Sequence, residues 1–274
     1  MIRQANHRSK GVWRLPWRML RRDWRAGELR VLLVAVIVAV ACVTSVGFFT
    51  DRIQQALHLQ SGELLAADLR VVADHPLPNQ VTKRVENSGL QSAETRSFRS
   101  MLQSNAESPQ SQLAEIKAAS PGYPLRGTLK IASSRFAAEQ VTTSLPLSGE
   151  VWVDSQLLQQ LNVQVGDQLQ LGYSSFRIAA VLTYEPDRSG DMFSIAPRVL
   201  MNLADLPATG LVQEGSHIHY RLLLAGETNA LARLRKALQG LLQHGERIEG
   251  TEDARPEIRS AMQRAQQFLG LAAV

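Results

Sequence analysis

Two pairs of side chains in this sequence have the residue types and spacing that could bind a metal ion. His217 and His219 stand two residues apart in a predicted strand, so both imidazoles face the same side. No third ligand is close in sequence, and we therefore expect no metal there. Asp187 and Asp191 flank a Ser-Gly turn but lack the alternating oxygen ligands of a calcium loop. We interpret that turn as a solvated surface feature.

Motifs for covalent catalysis and for nucleotide binding are absent from the sequence. It contains neither the G-x-S-x-G pattern that exposes a nucleophilic serine nor the G-x-x-x-x-G-K-[ST] pattern that cradles phosphates. If a nucleotide is involved, another chain binds it. We therefore predict no enzymatic activity, no catalytic residues and no bound cofactor.

The chain is organised around an apolar run at residues 31–49, nineteen residues without a charge or a proline. As a helix with a rise of about 1.5 Å per residue, this run spans roughly 28 Å, close to the thickness of the hydrocarbon core of a bilayer. Only Thr44, Ser45 and Gly47 interrupt it, and such small residues are tolerated in lipid. We predict a transmembrane helix over residues 29–50. A buried helix of a soluble core is the alternative, but the length of the run argues against it.

Basic side chains are concentrated on one side of the apolar run. The chain carries a formal net charge of +5, but residues 1–30 hold nine Lys and Arg against two acids, so this segment carries +7 and the remainder −2. The asymmetry predicts a cytoplasmic N-terminus and an extracytoplasmic main domain. A nucleic-acid-binding protein would carry the excess charge on its folded domain, so we predict no nucleic-acid partner.

Two processing signals compete with a permanent span. The only cysteine, Cys42, ends an Ala-Val-Ala-Cys sequence that resembles a lipoprotein cleavage box, and a basic segment before an apolar run resembles a signal peptide. However, the basic segment is about thirty residues long, and the apolar run continues past Cys42. We favour the permanent span, and cleavage remains the alternative.

The cytoplasmic segment, residues 1–28, contains an amphipathic pattern. Trp13, Trp17, Leu20 and Trp24 recur at helical intervals beside a stripe of arginines. Aromatic rings and arginines in this arrangement predict a helix that lies in the membrane interface and contacts lipids. Packing of the same face on a partner protein is the alternative.

Three further segments have helical or wholly apolar character. Residues 51–65 keep helical spacing and predict a stalk helix, and residues 253–267 predict a helix that precedes a second membrane segment. Residues 268–274 contain no polar side chain and predict the start of a second transmembrane helix. A complete single-span protein would have no need of such a run.

The intervening sequence alternates between strand and helix patterns, which predicts an α+β domain. We predict strands at 68–73, 91–103, 111–118, 125–131, 151–153, 168–172, 176–182, 216–224 and 247–249, and helices at 80–87, 155–161, 197–203 and 227–243. From residue 148 onward the strands are short and the turns closely spaced, as in a compact barrel-like or sandwich-like module.

Several short motifs recur in an order and spacing that are specific, although each motif alone is weak. They lie at residues 24–30, 61–69, 165–167, 185–190, 196–203, 209–216 and 264–269. Together they resemble the N-terminal part of bacterial ABC transporter permeases of the MacB/FtsX/LolCE superfamily, most closely the YbbP-type permeases.

The resemblance implies a periplasmic domain inserted between the first two membrane helices of an inner-membrane protein. It also implies two lobes. A mixed α/β lobe would comprise residues 66–147 and 216–252, and a small β-rich lobe would comprise residues 148–215.

The function implied by the resemblance is that of the permease subunit of an ABC-type transport or mechanotransmission complex. A separate cytoplasmic ATPase would drive it, and the periplasmic domain would act on lipid, a lipoprotein or a partner such as a periplasmic esterase. The alternative is a single-span, membrane-anchored periplasmic binding or scaffold protein. A membrane-anchored hydrolase is disfavoured because the sequence lacks a nucleophile motif.

Overall fold

The computed structural model describes residues 27–105, 109–190, 196–213 and 215–251. The chain divides into two compact units, Met1–Leu57 and His58–Val274. The amphipathic helix predicted over residues 13–26, the helix predicted over 253–267 and the apolar segment 268–274 lie outside the described residues.

The first unit is described through helix α1, which spans Glu28–Leu65 and continues through the residues where the sequence predicts a stalk. Along its apolar part the side chains are exposed, with 71% of Val31 and 67% of Phe48 accessible. Among the described residues we find no helix with both the length and the apolar character that crossing a membrane requires. The membrane helix over residues 29–50 therefore stays a prediction.

The second unit contains eleven strands and four short helices among the described residues. The strands are β1 Leu69–Ala73, β2 Gln91–Ser104, β3 Ser111–Ala119, β4 Leu129–Ala132, β5 Gln140–Thr142, β6 Glu150–Asp154, β7 Gln168–Leu171, β8 Ser174–Tyr184, β9 Arg198–Asn202, β10 His219–Ala225 and β11 Arg247–Gly250. The helices are α2 Asn79–Glu86, α3 Ser155–Gln160, α4 Leu206–Thr209 and α5 Thr228–Gln239, and 3₁₀ turns span Pro186–Gly190 and Leu203–Asp205.

Six of these strands close into a barrel. β2 pairs with β3, β3 with β9, β9 with β6, β6 with β8, β8 with β7, and β7 again with β2. All pairs are antiparallel except β3–β9 and β6–β8, which are parallel. The main apolar core takes buried side chains from every strand of this ring, among them Phe98, Ile116, Val153, Leu169, Ile178 and Val199. Strands β6 to β9, which follow residue 148, thus belong to a barrel rather than a sandwich, and β2 and β3 complete its ring.

An open sheet extends from the barrel along the first half of β2. There β10 pairs with β2, β1 with β10, and β11 with β1 at the edge. Helices α2 and α5 cover one face of this sheet, because each places two apolar side chains one turn apart (Val81 and Val85, Leu234 and Leu238). These side chains pack in one cluster with buried residues of β1 and β10.

One predicted helix is wrong. Within the predicted helix 197–203, residues Arg198–Asn202 form strand β9 instead, which lies between β3 and β6 in the barrel. The run Val199–Leu200–Met201 is buried on both faces, so it has no polar alternation to distinguish a strand from a helix. Long-range pairing with two neighbouring strands decides the outcome, and Pro197 is tolerated because it precedes the strand.

The other helices and strands predicted between residues 66 and 250 are confirmed, with shifts of a few residues at their ends. The division into lobes at residues 148 and 215 stays a prediction. Strand β2 takes part in both the open sheet and the barrel, and β3 also belongs to the barrel ring.

Candidate functional site

The loop between β8 and β9 contains two acidic side chains that the fold buries. Glu185 is 2% exposed and Asp187 is 7% exposed. A 3₁₀ turn begins at Pro186, whose ring favours the first position of such a turn. The prediction of a solvated turn is therefore wrong for Asp187, while Asp191 lies outside the described residues. Two buried carboxylates require nearby cations or hydrogen-bond donors, because isolated buried charges are very unfavourable.

Lys117 of strand β3 supplies the main cation. Its Nζ lies 2.6 Å from both carboxylate oxygens of Asp187 and 2.8 Å from Oε1 of Glu185. The hydroxyl of Tyr123 lies 2.6 Å from the same Nζ, 2.6 Å from Oδ1 of Asp187 and 2.8 Å from Oε1 of Glu185. Lys117 and Tyr123 are both fully buried. Charge-assisted hydrogen bonds are stronger than neutral ones, and the exclusion of water strengthens them further. They therefore hold this loop against the face of β3 that points away from the barrel core.

Three further charges complete the buried cluster. Arg198 of β9 donates from Nη1 to Oε2 of Glu185 at 2.8 Å and contacts Oε2 of Glu115 with Nη2 at 3.1 Å. Nη1 of Arg221, on β10, lies 3.9 Å from Oδ2 of Asp187. Three cations thus face three carboxylates, and the formal charge is balanced. We call this set the buried ionic cluster: Glu115, Lys117, Tyr123, Glu185, Asp187, Arg198 and Arg221.

The protonation states in the buried ionic cluster follow from burial and charge together. Burial alone would raise the pKa of Asp187, but the charges of Lys117, Arg221 and Arg198 hold it well below its usual range. Burial, with the adjacent carboxylates, raises the pKa of Tyr123, so its hydroxyl stays protonated. Burial opposes the charge of Arg198, but Glu185 and Glu115 raise its pKa. Asp187 and Arg198 therefore keep their charges at neutral pH.

A second, more exposed group of polar contacts lies directly after helix α1. Asp68 accepts two hydrogen bonds from the guanidinium of Arg126, at 2.8 and 2.6 Å, and its Oδ2 also accepts from the backbone N–H of Gly226. The carbonyl of Ala66 accepts from the backbone N–H groups of Leu125 and Arg126, both at 3.0 Å. We call this set the helix junction: Ala66, Asp68, Leu125, Arg126 and Gly226.

The segment of residues 121–127 belongs to both groups. Tyr123 enters the buried ionic cluster, while Arg126, three residues later, binds Asp68. Gly127, with a φ of +78°, is so tightly enclosed that a Cβ there would lie 3.0 Å from Cβ of Pro186 and 3.6 Å from Cγ of Glu63. An unbroken chain of contacts therefore leads from the end of α1 to the β8–β9 loop.

The same loop is also fixed to the barrel's helix. Arg188 donates to Oδ2 of Asp154 at 2.6 Å, and Oδ1 of Asp154 accepts the N–H of Gln156 at the start of α3. The loop therefore connects β3, β9 and α3 of the barrel with the segment of residues 121–127.

The two histidines that the sequence singled out lie elsewhere. His217 and His219 line a cavity of about 490 Å³ at the point where β10 separates from β2, together with Ser97, Arg99 and Glu115. Among the described residues, no group of three or more His, Cys, Asp or Glu side chains is arranged to hold a metal.

Sequence reasoning missed the buried ionic cluster. One signal was available: Glu115 and Lys117 alternate with apolar residues in a strand that is otherwise alanine-rich, which places both charges on the same face. Their partners lie about 70 residues away, and no local pattern reports such a distance.

Residues 31–241 match the family model of the MacB-like periplasmic core domain. Over 253 residues the chain is 32% identical to an uncharacterized ABC transporter permease, YbbP, of Escherichia coli strain K12. The match covers 92% of this chain but 30% of that relative.

Solved structures show weaker similarity. The periplasmic region of MacB from Actinobacillus actinomycetemcomitans aligns with a TM-score of 0.44 at 12% identity, over 74% of this chain and 95% of that one. A domain of a putative permease protein from Porphyromonas gingivalis aligns with a TM-score of 0.40 at 13% identity, over 68% of this chain and 91% of that one. The assignment of the chain to a family therefore rests on the family model and on the similarity to YbbP.

Proposed function

The chain belongs to the MacB-like periplasmic core domain family, and from this premise we propose that it forms the N-terminal part of an ABC transporter permease. It spans about 30% of the length of the YbbP relative, so the activity of a whole permease is part of this proposal. A separate cytoplasmic ATPase would supply the energy, since this sequence has no phosphate-binding motif.

The membrane part of the proposal rests on the apolar run and on charge. Residues 31–49 are long enough to span the hydrocarbon core, and Val31 and Phe48 are exposed on helix α1. The net charge of +7 on residues 1–30 favours a cytoplasmic N-terminus and a periplasmic domain in the inner membrane. The aromatic and basic stripes of residues 13–26 would brace the chain on the lipid surface.

The observation that carries the mechanism is the unbroken contact path from the end of α1 to the barrel. Arg126 holds Asp68 just beyond the helix, and Tyr123 in the same segment holds the β8–β9 loop. A displacement of α1 would therefore reach the barrel through a short, packed segment. In this mechanism the ATPase moves the membrane helices, α1 acts as a lever, and the periplasmic domain acts on a lipid, a lipoprotein or a partner esterase.

The size of the native protein tests whether the chain is part of a permease. Membranes are blotted with an antibody against residues 66–250, and the protein is purified under mild conditions to recover an associated ATPase. We expect a membrane-bound band far above 30.2 kDa that co-purifies with an ATPase. A membrane-bound band at 30.2 kDa would contradict the proposal that the chain is part of a permease, and would favour a single-span scaffold protein. A smaller soluble band would indicate cleavage near the apolar run.

A further inference from the structure

One histidine outside these clusters lies where two separate segments of the second unit meet. His75 follows β1 by two residues and faces the turn at residues 243–246, which precedes β11. Its Nδ1 lies 3.1 Å from the carbonyl oxygen of Pro76, and its Nε2 lies 3.4 Å from the carbonyl oxygen of His244. Both ring nitrogens therefore face hydrogen-bond acceptors.

This geometry distinguishes the two protonation states of the ring. A neutral imidazole has one N–H, so one of its nitrogens would direct a lone pair at a carbonyl oxygen. The imidazolium has two N–H groups and can donate to both carbonyls. Protonation thus adds a second hydrogen bond to the contact between the end of β1 and the turn.

Two nearby carboxylates also favour the protonated form of His75. Nε2 of His75 lies 3.8 Å from Oδ1 of Asp74 and 3.9 Å from Oε1 of Glu246. The side chain of Glu246 is buried, and its Oε1 has no hydrogen-bond partner among the described residues, whereas its Oε2 accepts the N–H of Gln243. The remaining titratable group of the turn is the His244 side chain. The carbonyl of Pro76 raises the pKa of His75 most, and burial opposes it. The His244 carbonyl, Glu246 and Asp74 each raise the pKa further, so the net shift is upward.

The turn comes close to Asp74, the residue before His75. Gly245 has a φ of +90°, and a Cβ at this position would lie 2.8 Å from Oδ1 of Asp74. The strand that follows, β11, is the edge of the sheet, and β1 is the strand with which it pairs among the described residues. A contact that holds the turn therefore also holds the start of the edge strand.

We propose that His75 is a proton-operated latch, which clamps the turn at residues 243–246 onto the end of β1 when protonated and loosens the start of β11 when neutral. The inference is independent of the proposed membrane role. Because the pKa of His75 is raised in the folded protein, its stabilising effect is fully present below the ordinary value of 6.5 and is lost as pH rises through the folded value.

The first test is an NMR titration of the full chain with ¹³C-labelled histidine, in which the His75→Gln variant identifies the resonance of His75. We expect His75 to titrate above 6.5, and we expect Glu246→Gln to move its pKa back toward 6.5. A His75 pKa at or below 6.5 in the wild type, or one that Glu246→Gln leaves unchanged, would overturn the latch.

The second test measures hydrogen exchange of the β11 amides at matched pH values on both sides of the His75 transition. At the lower pH we expect His75→Gln to exchange roughly two- to fivefold faster than the wild type, the range that one partly exposed charged contact typically contributes. At the higher pH we expect the two proteins to exchange alike. His217→Gln, an exposed histidine on another loop, is the control and should match the wild type throughout. An equal difference at both pH values would mean that His75 acts only by packing, and would also overturn the latch.

Discussion

The buried ionic cluster and the helix junction use the same kinds of side chain in opposite environments. Lys117 and Asp187 are shielded from water, whereas the side chains of Arg126 and Asp68 are 40% and 23% exposed. A buried ion pair is costly to break because each remaining charge is left without a partner or solvent, while an exposed pair contributes little to stability. The cluster therefore holds the loop firmly on the barrel, whereas the junction is the weaker of the two contacts.

Removal of Lys117, the central cation of the buried ionic cluster, tests the difference between the buried and the exposed ion pairs most strongly. Lys117→Met keeps much of the side-chain volume but leaves Glu185 and Asp187 without their main partner. We expect a loss of about 3–5 kcal/mol in the free energy of unfolding, measured by denaturant titration of the purified chain. The control is Lys130→Met, whose exposed contact with Glu139 is 3.5 Å long, and it should cost less than about 1 kcal/mol. Equal losses of unfolding free energy in the two variants would contradict the difference between buried and exposed ion pairs.

Asp187→Asn tests the charge of the cluster while it preserves shape. At neutral pH we expect a loss of roughly 2 kcal/mol, typical of a hydrogen bond to a charged group. The pKa of Asp187 is lowered in the folded protein, so its contribution is full above the ordinary value of 3.8 and is lost as pH falls toward the folded value. The difference in unfolding free energy between wild type and variant should therefore narrow below pH 3.8. A difference that stays constant with pH would contradict this account.

Arg126→Gln tests the helix junction, where the expected effect on global stability is smaller. The exposed pair with Asp68 should contribute about 0.2–1 kcal/mol. Hydrogen exchange should increase locally at residues 66–68 and 124–127, and the amides of the barrel strands should remain protected. A loss of unfolding free energy as large as that of Lys117→Met would show that the junction is a structural core contact.

Two glycines inserted near Gln60 test the proposed lever action of α1 without changing a residue of the buried ionic cluster or of the helix junction. Glycine weakens a helix interior, so motion of the membrane part would no longer be transmitted to the domain. We expect almost no change in the unfolding free energy of the barrel, but loss of coupling between ATP hydrolysis and the periplasmic output. Two alanines at the same position extend the helix without softening it and are the matched control. Unchanged coupling in the glycine variant would count against the lever.

The sequence predicts most of the secondary structure because the relevant patterns are local. The spacing of Val81 and Val85 indicates α2, and that of Leu234 and Leu238 indicates α5. Strand β9 could not be distinguished from a helix, since its short apolar run is buried on both faces. Closure of the barrel depends on the pairing of β2 with β7 and of β3 with β9, which are strands that lie far apart in the chain.

The candidate site was less accessible to sequence reasoning. Next to a Pro and a Ser-Gly pair, Glu185 and Asp187 look like an ordinary surface turn, and only the fold brings Lys117 and Arg198 beneath them. The motif at residues 185–190 is one of the seven on which the family resemblance rests, and the structure gives it a physical role as the buried attachment of a loop.

The proposed mechanism requires that the helix junction transmit motion of α1 to the β8–β9 loop. The direct measurement is hydrogen exchange at residues 121–127 and 185–190, with and without ATP, in the proposed full-length permease together with the ATPase that co-purifies with it. The wild type is compared with the double variant Asp68→Asn, Arg126→Gln and with the control Lys130→Gln, Glu139→Gln.

We predict that ATP changes protection at both segments in the wild type and in the control. In the junction variant the change should be lost while ATP hydrolysis continues. A junction variant that keeps the full ATP-dependent change in both segments would contradict the account.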